Sequence, residues 1–362
     1  MRVVLADPAG FTPSYDHELA AALARAGAEV ELVTSPFRFG VSSYAGDGYR
    51  RNELFYGVSS RVFRRSRLRV PVKVVEHPVG TARLLRRPRD VLHVQWLAAA
   101  PIDRWLFRAR PPVVFTAHDL LPRRTASRER LWQELFRRFD RIVVHSDRGL
   151  ETLAELGVPR ERLRRIPMPV FASEPRYEDD GRTLACIGLI RPYKGLGDAI
   201  EAAKGVDGAR LIVAGEALEP VEPYRAAAGA VPVDWRLTYQ SEPEITELLA
   251  RTTVTLFPYK PEIDMSAVLM RSLGAGVPAV VYDIGGLAEP VREFSAGRVV
   301  AGNDVEGLRT AIDELLGDPA ALEEARAGAR RAREALTWDA SAAAHLDLYR
   351  ELLQVSGTRA EG

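Results

Sequence analysis

Arg191 and Lys194 stand close together in Gly188-Leu-Ile-Arg-Pro-Tyr-Lys-Gly195. A guanidinium fork beside an ammonium point charge suits an anion with several oxygens, a diphosphate above all. The apolar run at 183–187 precedes this loop and a helical pattern follows it. The pair therefore sits at the carboxyl end of an expected strand, where open α/β sheets take ligands. An ordinary solvated loop is the competing reading. A second constellation follows the apolar run 254–257. Glu262 and Asp264 lie in a polar loop, and a helix begins near Ser266 and Ala267. Its free N–H groups form an anion site. A helix merely capped by Ser266 is the plainer reading. In the first half, His118 closes the run 113–117, and His93, Gln95 and Trp96 occupy and follow the run at 91–95. For His118 the alternative is a histidine bonded to its own loop.

The chain contains no phosphate loop, no His-Glu-x-x-His and no Gly-x-Ser-x-Gly, and no Gly-x-Gly-x-x-Gly follows the first apolar run. The six histidines show no metal-ligand spacing, so no metal site is expected. Cys186 is the single cysteine, which excludes a disulfide framework and suits a reducing, cytoplasmic setting. No apolar stretch reaches the length of a membrane span. The net charge of +1 conceals an asymmetry. Residues 1–170 carry 30 Lys and Arg against 18 Asp and Glu, and the remainder carries 20 against 31. Residues 51–90 alone carry 11 basic and 3 acidic side chains. Val62, Phe63, Leu68 and Val70 are interspersed with Arg61, Arg64, Arg65, Arg67 and Arg69. That stretch suits an anionic acceptor or an anionic membrane surface; an arginine-rich solvated surface is the alternative. No nucleic-acid motif accompanies it, and nucleic acid is not expected as a partner.

The elements that position these residues repeat one logic. A short apolar run at 3–6 leads through a loop to a helical pattern at 16–26, which Gly27 stops, and residues 29–34 alternate as a strand. Further strands are expected at 91–95, 113–116 and 141–145, then at 183–188, 210–214, 254–257 and 278–281. Helical patterns at 196–203, 244–250, 268–276 and 306–316 separate the later ones, and a long helical region closes the chain. Two prolines at 167–169 mark a boundary near Val170. The fold class is α/β: two doubly wound Rossmann-like domains facing a central cleft.

With the loop 188–195, the helix start at Ser266, the Gly276-Val-Pro278 turn and Asp283-Ile-Gly-Gly-Leu-Ala-Glu289 all in order, the sequence resembles the retaining family-4 glycosyltransferases of GT-B fold over essentially its whole length. Tyr15, the stretch 28–34, His118-Asp119, Trp338 and Tyr349 also fit that family. The resemblance implies an acceptor-side domain at 1–170, a nucleotide-sugar domain at 171–336, and a helical segment at 337–362 crossing back to the first. It implies transfer of a sugar from a nucleotide diphosphate-sugar to a saccharide, lipid-linked or small-molecule hydroxyl, with retention and without metal or resident cofactor. His118 and a carboxylate, Asp264 or Glu262, would then lie beside the donor sugar. Gly10, Arg191, Lys194, Ser266 and Ala267 would hold the diphosphate. Arg271, Gly215 and Tyr239 would face ribose and base, and His93, Gln95 and Trp96 the acceptor. Arg271 occupies the place where the family usually has a glutamate for the ribose hydroxyls. An arginine donates hydrogen bonds and accepts none, so ribose recognition must differ, or the chain is a non-catalytic nucleotide-sugar binder or partner subunit. Related epimerases and phosphorylases keep the fold with another reaction.

Overall fold

The computed structural model describes residues 1–36, 47–61, 69–107, 112–121, 127–261 and 264–361. The chain forms two compact units, one of residues 1–167 with 338–362, the other of 168–337. The first is built on β1 (Arg2–Asp7), β2 (Glu29–Thr34), β3 (Arg50–Glu53), β4 (Val91–Val94), β5 (Val113–Thr116), β6 (Arg141–Val144) and β7 (Leu163–Arg165). They lie in the order β3-β2-β1-β4-β5-β6-β7. The second holds β8 (Thr183–Ile187), β9 (Arg210–Ala214), β10 (Val233–Arg236), β11 (Val254–Phe257), β12 (Ala279–Tyr282) and β13 (Gly297–Val300), ordered β10-β9-β8-β11-β12-β13. Every pairing in both sheets is parallel.

Central strands of such sheets are covered on both faces and read as continuous apolar runs. Residues 3–6 of β1 and all of β11 and β12 are buried accordingly. The four strands that sequence patterning leaves unplaced are β3, β7, β10 and β13, which are the four sheet edges. Edge strands are short and half-solvated, so their apolar signal is weak: β3 reads Arg-Arg-Asn-Glu and β10 reads Val-Asp-Trp-Arg.

The closing helical region is two helices, Pro319–Ala335 and Trp338–Glu361. The second belongs to the first unit. There the Trp338 ring meets Tyr15 edge-on at 5.1 Å, and Arg25 pairs with Asp339 at 2.7 Å. Its inner anchor is Tyr349, whose hydroxyl lies 2.6 Å from His93 Nδ1. His93 Nε2 lies 2.7 Å from Thr116 Oγ1, so both ring nitrogens are engaged. His93 is fully buried, which corrects its expected acceptor-side role: it fastens the last helix to the sheet.

Four of the six histidines gather in this core. His345 packs on His93 at 5.4 Å between centroids, and His145 lies 5.2 Å from His118. Among the described residues no three His, Cys, Asp or Glu form a group that could hold a metal ion. Burial disfavours the charged imidazolium, pushing His145 and His345 down to about 4 and His93 well below its usual range.

Tyr349→Phe leaves a buried ring nitrogen without its partner, which costs about 1–3 kcal/mol. The urea midpoint should fall with an unchanged denaturant slope. The histidines set a pH dependence. Their ordinary value is 6.5 and their folded value near 4, so the unfolded chain binds more protons between the two. Stability should be full above pH 6.5 and decline as pH falls toward 4. Urea unfolding across that interval should show the decline, with a shallower slope in His345→Gln.

Candidate functional site

In the second unit the carboxyl ends of β8, β9 and β11 converge through glycines. Gly215 has φ +147°, and a Cβ there would lie 2.2 Å from the Gly188 carbonyl oxygen. Gly195 has φ +66°, and a Cβ there would lie 1.9 Å from the Pro258 carbonyl oxygen. Gly215, expected on the ribose and base side, is required by this backbone packing.

These approaches bring the loop 188–195 against the start of the helix Ala267–Gly274. The Lys194 ammonium donates to the Tyr259 hydroxyl at 2.6 Å and to the Ile187 carbonyl at 3.4 Å. The Tyr259 hydroxyl lies 3.3 Å from Ser266 Oγ, which caps the helix by accepting from the Leu269 N–H. Ala267 is exposed, and the first N–H groups of a helix have no partner within it. Arg191 is half-buried, and no described carboxylate pairs with it. One cation, Lys194, and a helix N-terminus therefore stand together, with Arg191 in the same loop. Cys186 lines the same pocket, but burial pushes its thiol up to about 12, so no thiolate is available near neutrality.

Arg271 does not face a ligand as a free donor. Its guanidinium grips both carboxylate oxygens of Glu242, with Nη2 donating to Oε1 at 2.8 Å, and stacks 4.0 Å from the centroid of Phe171. The Arg271 side chain is 12% exposed and that of Glu242 is 37% exposed, so the carboxylate is the end that solvent reaches. Val268, one turn earlier on that helix, lies where a Cβ on Gly188 would meet its side chain at 3.3 Å. Tyr239 stands near the pair: burial and then the Glu242 charge raise its phenol, and Arg271 opposes them. Sequence reading missed Glu242 because it belongs to another helix, Glu242–Ala250. It also missed Glu216, whose Oε2 is buried with no hydrogen-bond partner among the described residues. Asp264 is buried, and its backbone carbonyl accepts from the Gly286 N–H at 2.9 Å. Glu262 lies outside the described residues.

In the first unit the loop after β1 closes on its own carboxylate. Asp7 Oδ1 accepts from the N–H groups of Ala9 and Gly10 at 3.1 and 2.9 Å. Oδ2 accepts from Phe11 and Thr12 at 2.6 and 3.2 Å. The Gly10 N–H, expected near the diphosphate, donates to Asp7. Burial raises both Asp7 and its neighbour Asp16, and the Asp7 charge raises Asp16 further, while the backbone N–H groups around Asp7 oppose its rise.

His118 is half-buried and stacks on Trp96 at 5.3 Å, with Tyr15 edge-on at 4.7 Å. His145 Nδ1 must carry its proton, because its partner is the Ile166 carbonyl at 2.9 Å. His145 Nε2 is then an acceptor facing His118 Nδ1 at 3.4 Å. That leaves His118 Nε2 to accept from Gln95 at 2.9 Å. Turning the Gln95 amide over supplies the N–H and satisfies its otherwise unpartnered Nε2. Both ring nitrogens of His118 are thus engaged by protein, and burial with its histidine neighbours holds it well below its usual range. Gln95 is fully buried behind it, which corrects its expected acceptor-side role. Trp96 remains at the rim, donating to Thr12 Oγ1 at 2.9 Å.

Residues 14–173 match the model of Glycosyltransferase Family 4, and residues 181–318 that of Glycosyl transferases group 1. The D-inositol 3-phosphate glycosyltransferase of Mycobacterium avium is 27% identical over 315 residues, 75% of this chain and 72% of that one. An exopolysaccharide phosphotransferase of Streptomyces coelicolor is 34% identical over 203 residues, 53% of this chain, which spans 22% of that protein's length. Among solved structures, sucrose-phosphate synthase from Thermosynechococcus elongatus superposes with a TM-score of 0.76 at 17% identity, covering 98% of this chain and all of that one. HepE from Anabaena, solved with UDP and glucose, gives 0.72 at 15% identity, covering 97% of this chain and all of that one. With the two family models spanning both units, and two parallel α/β sheets whose glycine-lined edge carries the cationic loop, the chain belongs to the family-4, group-1 glycosyltransferases of GT-B fold.

Proposed function

We propose that this protein transfers a sugar from a nucleotide diphosphate-sugar to an acceptor hydroxyl, with retention at the anomeric carbon and without a metal. The observation that carries the reading is the link from Lys194 through the Tyr259 hydroxyl to Ser266 at the N-terminus of Ala267–Gly274, with Arg191 in the same loop as Lys194. When the bond from anomeric carbon to phosphate oxygen breaks, negative charge grows on the departing diphosphate. Preorganised donors and cations placed there stabilise the transition state more than the ground state. The acceptor oxygen attacks the face the diphosphate leaves, and its proton passes to the leaving phosphate oxygen. HepE, whose structure was solved with UDP and glucose, supports a nucleotide-sugar donor. The acceptor is a saccharide, a lipid-linked hydroxyl or a small polyol.

Glu242 takes the ribose in this reading. Each of its oxygens receives one bond from Arg271, and the carboxylate side chain is 37% exposed, which puts an acceptor within reach of solvent. Arg271 thereby becomes a positioning residue. The motive for a non-catalytic reading, the missing glutamate at 271, loses its force because a carboxylate returns from the neighbouring helix.

Lys194→Ala and Arg191→Ala should each lower kcat/KM for the donor at least about tenfold, since a hydrogen bond to a charged group contributes roughly 1.5–3 kcal/mol. Glu242→Gln should raise the donor KM more than it lowers kcat. Wild-type kinetics in all three would end the assignment. A thermal-shift panel of nucleotide sugars identifies the donor to use, because a ligand of the folded state stabilises it by RT ln(1 + [L]/Kd).

Turnover should continue in excess EDTA, and product NMR should show the donor's anomeric configuration. Loss of turnover restored by Mg²⁺ or Mn²⁺ would overturn the metal-free mechanism, and an inverted product would overturn retention.

A further inference from the structure

In the helix Arg69–Leu85, Lys73, Glu76, His77 and Thr81 turn to neighbouring groups of the unit, and Val70, Val74, Val75 and Val79 face out. Lys73 lies over the Tyr56 ring at 4.4 Å from its centroid. Glu76 turns to the neighbouring helix Gly57–Arg61, where its oxygens accept from the N–H groups of Val58 and Ser59 at 2.8 and 3.1 Å. His77 is buried between the Tyr56 hydroxyl at 2.8 Å and the Asp103 carboxylate at 2.6 Å. The Thr81 hydroxyl donates to the His77 carbonyl at 2.9 Å. Gly80 faces Phe55 so closely that a Cβ would meet the ring at 2.6 Å. On the outer side Val70, Val74, Val75 and Val79 are 68%, 52%, 69% and 47% exposed, and Pro71 is exposed beside them. A helix on the surface of a water-soluble unit normally does the reverse.

A contiguous exposed apolar face marks a surface that something covers. Its surroundings select the cover. Arg83 and Arg86 are exposed at the end of the valine face, and Arg61 is exposed on the adjacent helix. Of the three acidic residues of the basic stretch 51–90, only Glu53 opposes one of these arginines, Arg61. Glu53 pairs with Arg51 and Arg61, Glu76 caps the adjacent helix, and Asp90 accepts from the Arg2 N–H. Protein partners are usually anchored by Trp, Tyr and Arg at the centre of the contact; this centre holds valine and proline only. Among the described residues no helix is long and apolar enough to cross a membrane. An apolar face flanked by arginines on a helix too short to span is the pattern of a segment that lies in the lipid interface. The arginines at 64, 65 and 67 lie outside the described residues, and the geometry stands without them.

We propose that the outer face of Arg69–Leu85 docks on an anionic lipid surface, its valines entering the headgroup boundary and its flanking arginines meeting lipid phosphates. This surface is separate from the donor site, so it stands or falls independently of the transferase reading.

The test is co-sedimentation of the full chain with vesicles of equimolar phosphatidylglycerol and phosphatidylcholine, and with vesicles of phosphatidylcholine alone. The wild type should bind the anionic vesicles at low salt, and the bound fraction should fall at least about fivefold on neutral vesicles or in high salt. Val75→Asp with Val79→Asp, and separately Arg83→Gln with Arg86→Gln, should each reduce binding by a similar factor. All four positions are exposed or half-exposed, so thermal unfolding should match the wild type; if the aspartates disturb it, Val75→Ser with Val79→Ser replaces them. Three results would overturn the proposal: no binding of the wild type to anionic vesicles at low salt, undiminished binding by the folded variants, or lipid-free self-association that the valine variants abolish. The last would make a second copy of the chain the cover.

Discussion

The Pro258 carbonyl oxygen occupies the space where any side chain on residue 195 would lie, 1.9 Å from an ideal Cβ. That approach, with the Gly188 carbonyl against Gly215, lets three strand ends draw together on one edge of the second sheet. The Lys194–Tyr259–Ser266 chain depends on it, because Lys194 reaches Tyr259 only if the loop 188–195 lies against the turn after β11. A cation, a buried phenol and a helix start are thereby held together before any ligand arrives. Preorganisation of this kind is where electrostatic catalysis gains its advantage, since no reorientation is required as charge develops.

The first unit is governed by the opposite problem, polar groups taken out of water. Histidines from β4, from the loops after β5 and β6, and from the last helix converge with Tyr15, Tyr349 and Trp338. Neutral imidazole is tolerated there because each ring finds at least one fixed hydrogen-bond partner. The loop after β1 solves the same problem by folding four N–H groups around Asp7. A backbone nest that an anionic ligand would otherwise fill is occupied by the chain's own carboxylate.

Two departures from expectation share one cause, the use of charged side chains for internal contacts. Arg271 stands where an acidic residue is expected, and its charge is answered by Glu242, which leaves a carboxylate at the solvent-reachable end of the pair. In Arg69–Leu85 the residues Lys73, Glu76 and His77 are drawn toward Tyr56, the Gly57–Arg61 helix and Asp103, and the valines are left facing out. In each case the side chain's type is plain from the sequence and its direction is not.

What the sequence determined by itself is local: the alternation of short apolar runs with helical patterns, the glycines and cations of 188–195, and the helix start at Ser266. Periods of two and 3.6 and cap chemistry act over a few residues, so one strand of text contains them. The nine strands read from apolar runs are the interior strands of both sheets, since burial on both faces imposes that composition. Tertiary structure alone decided the rest. The four edges carry no comparable signal, because half of each lies in water. Arg271 and Glu242 are 29 positions apart, and His93 and Tyr349 are 256 apart. No local period encodes which distant groups will meet; the packing of helices on the sheets sets that, and with it which polar groups bond inward and which remain for a ligand.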